Sequence, residues 1–458
     1  MRPGLAIHPL LVLLCTLPLA AETVVDPARF SIQGSFDVLA EPAAGEIQQE
    51  PSRFHDPRIA YEQIRLLAQE IAIRMRGLPD GSGSVLHHAR LLGSDEELVA
   101  FDTRATRLAR IPARVLIQAP TVDITEVPPD GDRAMAYRVA LEGVRPVEGT
   151  VLLDGGWHPI RIAAGSWMAR LQADLLGSRL ADPSLDRVIL RGDPASVDLD
   201  MQAGSAGSRS RLLELRLDPV HGLDRVLLEG AVHLERLLPA ADDRRDRFTL
   251  QADRVDLPIL HAQRSSGTGR ASGAVSWSGP GLLGIGSDLH CRMQQGQTGT
   301  EVEIVGVGLA GTGDQPASLS VAAGRWPLRG RLQARDIAVE RLSATTQERR
   351  YHLAIRDVSE LAGALRRERS GRIEWLPFSG RAALIEAEIV HHIATGLIRP
   401  VHIRFEAGPE DPVDLTIDGG SWPGRMIGDW ISIDCDADGR PERVRVSPDM
   451  RFQGLPAH

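Results

Sequence analysis

The sequence predicts an all-β protein of repeated antiparallel hairpins, forming β-jellyroll or folded-over sheet units with little helix. Three repeating features predict it: a strand rhythm that breaks step at an alanine, an Arg-Val strand that returns after a turn, and a Gly-x-Trp turn that opens a further strand.

The rhythm is clearest in Phe248 to Leu257, FTLQADRVDL, where Phe248, Leu250 and Ala252 share one phase and Val255 and Leu257 the other. Successive side chains of a strand point to opposite faces, so a slip of one residue would turn the second apolar set outward. A bulge or bend at Ala252, Asp253 and Arg254 absorbs the extra residue and keeps both halves facing one interior. The rhythm recurs in Ile64, Leu66 and Ala68 followed by Ile71 and Ile73, and in Leu332 and Ala334 followed by Ile337 and Val339. The candidate lining of the interior, and the lipid-facing set if that interior takes lipid, is therefore Phe248, Leu250, Ala252, Val255, Leu257, Leu332, Ala334, Ile337 and Val339.

In chain order, Arg2, the apolar run Pro9 to Leu19 and the small residues Ala20 and Ala21 read as a secretory signal over 1–21, with the mature chain starting near Glu22. A retained membrane anchor is the alternative, although the run is short for a full span. Residues 22–58 read as an entry strand and a loop. Ile59 to Met75 admits a helix, because Asp56-Pro57 could cap one whose face is Ile64, Leu67, Ile71 and Met75. The shared corner rhythm favours strand. Beyond it, Asp186-Arg187-Val188 and Asp224-Arg225-Val226 each open a return strand, with weaker copies at Ala113 to Ile117 and Glu442 to Val446. Gly165-Ser166-Trp167, Gly324-Arg325-Trp326 and Gly420-Ser421-Trp422 mark the turns between such strands. The organisation expected is one β-repeat unit over 22–261, a flexible Gly/Ser-rich connection over 262–286 and a second unit over 287–458. Ser359 to Arg367 could form a short helix.

Composition narrows the chemistry. All 52 basic residues are Arg, and the chain has no Asn. That removes the Walker phosphate loop, a Schiff-base lysine, a Ser-x-x-Lys nucleophile and N-glycosylation. The net charge of −9 argues against a general nucleic-acid binder. Cys291 and Cys435, the cysteines beyond the leader, admit two readings, a pair in an oxidising compartment or single buried thiols.

Candidate sites resolve into turns and surface groups. Asp434-Cys435-Asp436-Ala437-Asp438-Gly439 opens like a calcium loop, but Arg445 stands where a bidentate Glu is needed, so an Asp-Gly hairpin turn is the better reading. Each of the pairs His87-His88 and His391-His392 would point to opposite faces of a strand and so forms no zinc ligand pair. Asp154 and Asp418, both before Gly-Gly, read as turn residues. The Trp residues after Gly read as packing over turns ahead of a ligand platform. No catalytic residue, metal or cofactor is expected.

LQADRV at 250–255, RLLELRLDPVHGLDRVLLEGAVHLE at 211–235 and MARLQADLLGSRLADPSLDRVILRGDPASV at 168–197 resemble the organic-solvent-tolerance-like family, periplasmic β-jellyroll proteins of lipopolysaccharide transport. The resemblance implies a folded-over sheet whose apolar interior shields acyl chains, stacked end to end in a bridge between membranes. The expected function is a noncatalytic lipid-carrying or envelope-assembly protein, periplasmic or secreted, with lipid or lipopolysaccharide and other β-jellyroll envelope proteins as partners and no nucleic acid. A structural or adhesive β-repeat protein with a dry core is the alternative, and a carbohydrate-active enzyme comes third.

Overall fold

The computed structural model describes residues 30–454 apart from connecting segments, the longest being 38–41, 95–97, 128–134, 181–183, 219–221, 240–244, 261–263, 296–301, 323–327, 393–397 and 419–423. The expected leader, residues 1–21, and the Trp turns at 324–326 and 420–422 lie outside the described residues. The described chain is all-β and antiparallel, with no helix among the described residues. No helix is therefore long and apolar enough to cross a membrane, a statement that leaves strand crossing untouched. Two compact units divide the chain, Met1–Pro239 and Ala240–His458.

In the first unit β1 (Phe30–Asp37) pairs with β2 (Ser52–Tyr61). The next strands come in couples, each one run of chain that changes wall at a corner. They are β3 (Ile64–Leu67) with β4 (Glu70–Gly77), β5 (Ser84–Leu92) with β6 (Val99–Leu108), and β7 (Ile111–Ala119) with β8 (Thr121–Val127). Two more are β9 (Met135–Glu142) with β10 (Val147–Leu153), and β11 (Gly156–Ala163) with β12 (Ser166–Ala173). A small hairpin, β13 (Leu175–Leu176) and β14 (Arg179–Leu180), precedes the long strands β15 (Ser184–Met201), β16 (Gly204–Asp218) and β17 (Gly222–Pro239). One wall pairs β4, β5, β8, β9 and β12 in that order, and the other pairs β3, β6, β7, β10 and β11. The strands β2 and β15 belong to both walls, because their two halves pair with different partners. The sheet is thus a meander folded over along a crease.

The second unit repeats the plan. The long strands β18 (Arg245–Pro258), β19 (Ser266–Gly279) and β20 (Leu282–Gln295) cross the crease, then β21 (Val302–Ala310) and β22 (Ala317–Val321) take one wall each. The strands β23 (Leu328–Ala344), β24 (Glu348–Arg369) and β25 (Arg372–His392) cross again. Because β20 and β23 each pair with both β21 and β22, these four strands close a small ring. After β25 the walls continue separately, as β26 (Ile398–Glu406), β29 (Trp430–Cys435) and β30 (Pro441–Val446) on one side, and β27 (Val413–Ile417), β28 (Gly424–Gly428) and β31 (Arg451–Gly454) on the other.

The corners are where the strand rhythm breaks step. Between β18 and β19 the register shifts at Gln251/Arg254, where Ala252 and Asp253 stand against the three residues Gly273 to Val275, and in β23 it shifts at Gln333/Ala334. The third copy of the rhythm, Ile64 to Ile73, is split into β3 and β4 at Ala68-Gln69 and contains no helix. Elsewhere the crease uses positive backbone φ, at Asp56 in β2, Gly230 and Ala231 in β17, Gly273 in β19 and Asp357 in β24. Two of these corners are tied to their neighbours by side chains. An Asp253 carboxylate oxygen accepts from the Ala274 amide at 3.3 Å, and Arg335 bridges Asp336 at 2.9 Å and Asp357 at 2.7 Å.

The outer face carries cross-strand ion pairs such as Arg270 with Asp288 and Arg350 with Glu388. Each is solvent-exposed and contributes at most about 1 kcal/mol, so their effect is on register rather than on total stability.

Two expectations are corrected. The Gly/Ser-rich stretch 262–286 is no flexible connection: most of it is β19 and the start of β20, paired with each other on both sides of a register shift at Ser272/Val275, and the two units part between Pro239 and Ala240. Its Ala271, Val275 and Trp277 keep a strand phase, and Gly269, Gly273 and Gly279 lie under the Leu257, Asp253 and Phe248 side chains of β18. The short helix over Ser359 to Arg367 is instead part of β24, because continuous pairing with β23 and β25 outweighs a weak local preference. The corner geometry makes Gly273 a sensitive position. Its φ of 96° strains any L side chain, and an added Cβ would meet the Asp253 carboxylate. Gly273→Ala is expected to cost about 1–3 kcal/mol, read as a lower urea midpoint by far-UV circular dichroism. Gly165→Ala, whose Cβ would lie 3.7 Å from the nearest atom, should leave the midpoint nearly unchanged.

Candidate functional site

The inner face of the second unit is the feature that the folded sheet builds. All nine residues of the expected lining stand on it. Phe248, Leu250 and Ala252 follow one phase up to the β18 corner, and Val255 and Leu257 follow the other phase beyond it. Leu332 and Ala334, then Ile337 and Val339, do the same in β23.

Burial along these rows falls with distance from the crease. Ala252 is 5% exposed and Val255 0%, Leu250 and Leu257 are half-buried, and Phe248 is 38% exposed. On β21 the sequence runs from Leu309 at 4% through half-buried Val307 to Ile304 at 55%. In β23, β24 and β25 the corner residues Ile337, Ile355 and Ile385 are buried while Val339, Leu353 and Ile389 are only half-buried. The interior is therefore filled at the crease and uncovered toward the strand ends. Sheets packed face to face would bury these outer rows as well.

Glycines opposite aromatic residues help keep it uncovered. A Cβ on Gly279 would come within 3.1 Å of the Phe248 ring, and one on Gly363 within 2.8 Å of the Phe378 ring. Trp277 lies in the same way over Gly284, directly opposite it on β20, and Phe452 over Gly424. Each ring rests against its own wall, because the facing residue has no side chain to lift it. The rings add apolar area without standing across the interior. The indole nitrogen of Trp277 is buried there without a hydrogen-bond partner.

The first unit is different over β4 to β9. Ile71, Ile73 and Met75 are all buried along β4, as are Leu86, Ala89 and Leu91 along β5 and Tyr137, Val139 and Leu141 along β9. Burial does not fade from corner to strand end. These residues belong to one continuous core against which Ile117, Trp167 and Ala169 also pack. That core holds a charged cluster. Glu126, whose side chain is 7% exposed, accepts from Arg76 Nε at 3.1 Å and from a second Arg76 nitrogen, and meets His87 Nδ1 at 3.1 Å. Burial pushes the Glu126 carboxyl up, but the hydrogen bonds from Arg76 and His87 outweigh it and hold the group below its usual range. Tyr137 stands directly opposite Glu126, fully buried, and its hydroxyl has no partner. Burial, reinforced by the Glu126 charge, pushes that phenol up.

The remaining candidates lie in turns, ion pairs and strand positions. Asp434 meets His402 at 2.9 Å and Arg445 at 2.7 Å, and the loop after it joins β29 to β30 as a hairpin turn with Gly439 at positive φ. His88 and His392 meet Asp123 and Glu348. Trp167 opens β12 at the crease, so the Gly165 turn is a corner and not the end of a hairpin. Cys291 and Cys435 are both free thiols, half-buried. Burial raises the Cys291 thiol, and burial with the Asp436 and Asp434 carboxylates pushes Cys435 up to about 11. Cys291 follows the inner phase between Leu289 and Met293 and so lines the interior. The charged cluster in the first unit escaped sequence reading, since Arg76, His87 and Glu126 lie on three strands and share no motif.

No family model matches the chain, and no curated protein matches it.

The Glu126 cluster sets a pH dependence. A carboxyl whose folded value is depressed contributes stability above its unfolded value, near pH 4.3 for a free Glu, and loses it as pH falls through the folded value (~4.3 is the reference). Glu126→Gln is expected to cost about 3 kcal/mol at neutral pH, because it leaves the partly buried Arg76 without its carboxylate. In urea titrations the gap between variant and wild type should narrow at acid pH; a gap that stays constant would remove the carboxylate as its source.

Proposed function

We propose that the protein is a noncatalytic lipid-carrying or envelope-assembly protein whose second unit holds acyl chains between the walls of its folded sheet. The observation that carries this reading is the graded inner face, apolar throughout its middle rows, filled at the crease and uncovered beyond it. Uncovered Phe248 and Ile304 leave apolar area in water, and covering such area contributes roughly 25 cal/mol per Å². An acyl chain lying along the rows would cover it and would need no hydrogen bonds from the lining.

The leader-like start of the sequence supports a periplasmic or secreted location. The resemblance to lipopolysaccharide-transport proteins supports an envelope role, with lipid or lipopolysaccharide as cargo and other β-jellyroll proteins as neighbours. A second reading, a structural β-repeat protein with a dry core, is favoured by the filled section of β4 to β9. The two readings agree if that section serves as scaffold and the second unit as carrier.

Organic-solvent extraction of the purified chain followed by mass spectrometry should recover bound lipid, and added lipid should protect Cys291 from site-resolved alkylation. Val339→Asp, which places a carboxylate on a half-buried inner position, should lower lipid-probe binding by at least about tenfold, since an unpaired charge facing an acyl chain costs more than 1.4 kcal/mol. Recovery of no lipid, together with unchanged Cys291 alkylation, would leave the dry-core reading standing.

A further inference from the structure

The strands β18, β19 and β20 carry two different outer faces, one on each wall. On the wall formed by the second half of β18, the first half of β19 and the second half of β20, the outward phase is charged, with Asp256, Arg270, Asp288 and Arg292 upon it. Arg270 meets Asp288 there at 2.8 Å, and Arg292 meets Glu340 at 2.6 Å. On the other wall the same three strands turn only uncharged side chains outward among the described residues. Leu283 and Ile285 on β20 form a ridge, 39% and 47% exposed. Serines flank the ridge on both sides: Ser278 and Ser276 on β19, and Ser320 and Ser318 on β22. Beyond β19 the two rows end in Thr249 and Gln251 on β18.

A sheet face that stays in water can carry charge at little cost, as the first wall does. An outer face without charge, on which aliphatic side chains stand in water, has the composition of an interface core. Its hydroxyls are suited to being covered: those of Thr249 and Ser278 lie 2.7 Å apart and bond to each other, so neither is left unsatisfied when water is removed. The relief of the face selects the partner. The ridge is one strand wide and lies beside a furrow of serines one strand wide, so the surface is complementary to itself. A two-fold axis running along the strands above the boundary of β19 and β20 lays each ridge on the partner's Ser276 and Ser278, row on row. The same axis lays Thr249 and Gln251 on the partner's Ser320 and Ser318, so every one of these contacts joins uncharged groups. For a chain of net charge −9, such a face lets two copies meet without bringing like charges together. Four strands and two rows cover about 270 Å², roughly a third of the area that each partner of a stable interface buries. The dimer is therefore of the weak, concentration-dependent class.

We propose that two copies of this chain associate face to face through this wall, with Leu283 and Ile285 of each copy seated in the serine furrow of the other. The small serines let the two sheets approach to about the 10 Å at which sheet faces pack. The surface is an outer one, so the association does not depend on the lipid-carrying reading and leaves the space between the walls untouched.

The test is sedimentation of the full chain between about 1 and about 200 µM, where a weak interface should give a monomer–dimer equilibrium. Ile285→Arg should raise the dimer dissociation constant at least about tenfold, because each copy would then bury an unpaired guanidinium. Its urea midpoint should match that of the wild type, which shows that the variant is folded. Crosslinking locates the face. In a chain carrying Cys291→Ser and Cys435→Ser, Ser276→Cys stands beside the axis and should give a covalent dimer with a bismaleimide that spans about 10 Å. Ser272→Cys, on the same strand but on the other wall, should stay monomeric. A chain that is monomeric throughout the range would overturn the proposal. So would a dimer that survives Ile285→Arg and is not trapped through Ser276→Cys, since it would use another surface. Monomers that float with phosphatidylcholine vesicles through Ile285 would assign the face to a bilayer and equally overturn the dimer.

Discussion

Everything in this protein depends on keeping apolar side chains on one side of a chain that changes direction. A strand that crosses a crease has to turn through the fold, and with strict alternation its second half would show the wrong face. One supernumerary residue at the corner restores the phase. At Ala252-Asp253 this places Ala252 and Val255 on the same interior from opposite walls. Its cost is an irregular backbone, and the neighbouring Gly273, with Asp253 reaching across to the Ala274 amide, is how one such corner is accommodated.

The corners were visible in the sequence because they leave a one-dimensional trace, an apolar rhythm with one residue too many. The class of fold, the bend at Ala252 and the strand character of Ile64 to Ile73 all followed from it. What left no such trace was pairing. The stretch 262–286 looked like a linker because Gly and Ser dominate it, yet those residues are small for a reason that only register reveals: Gly279 and Gly284 lie opposite Phe248 and Trp277. The helix expected near Ser359 failed likewise, since β24 is held by partners on both sides. Of the candidate residues, the alternation along β18 and β23 was legible in the sequence and the charged cluster of the first unit was not. Arg76, His87 and Glu126 come together only across three strands.

One architecture here supports two kinds of interior. Over β4 to β9, Met75, Leu86 and Tyr137 fill the space out to the strand ends, and the buried Glu126 is matched by Arg76 and His87. In the second unit the corresponding outer rows carry Phe248 and Ile304, and aromatic rings lie down on glycines. A packed interior excludes small voids because each lost contact costs energy, whereas an interior left open over whole rows must take its contacts from something that is not the chain.

The meander also bears on how such a chain comes to be folded. In the second unit almost every pairing joins strands next to each other or one step apart along the sequence, from β18 with β19 to β29 with β30. Loop-closure entropy is then incurred in small instalments, and each new hairpin can dock on an edge that already exists. A sheet of this kind can grow from one end as its polypeptide emerges, much as stacked repeats do. Assembly order and strand order would then coincide, and at every stage the growing structure would present a single pair of open edges, one to each wall.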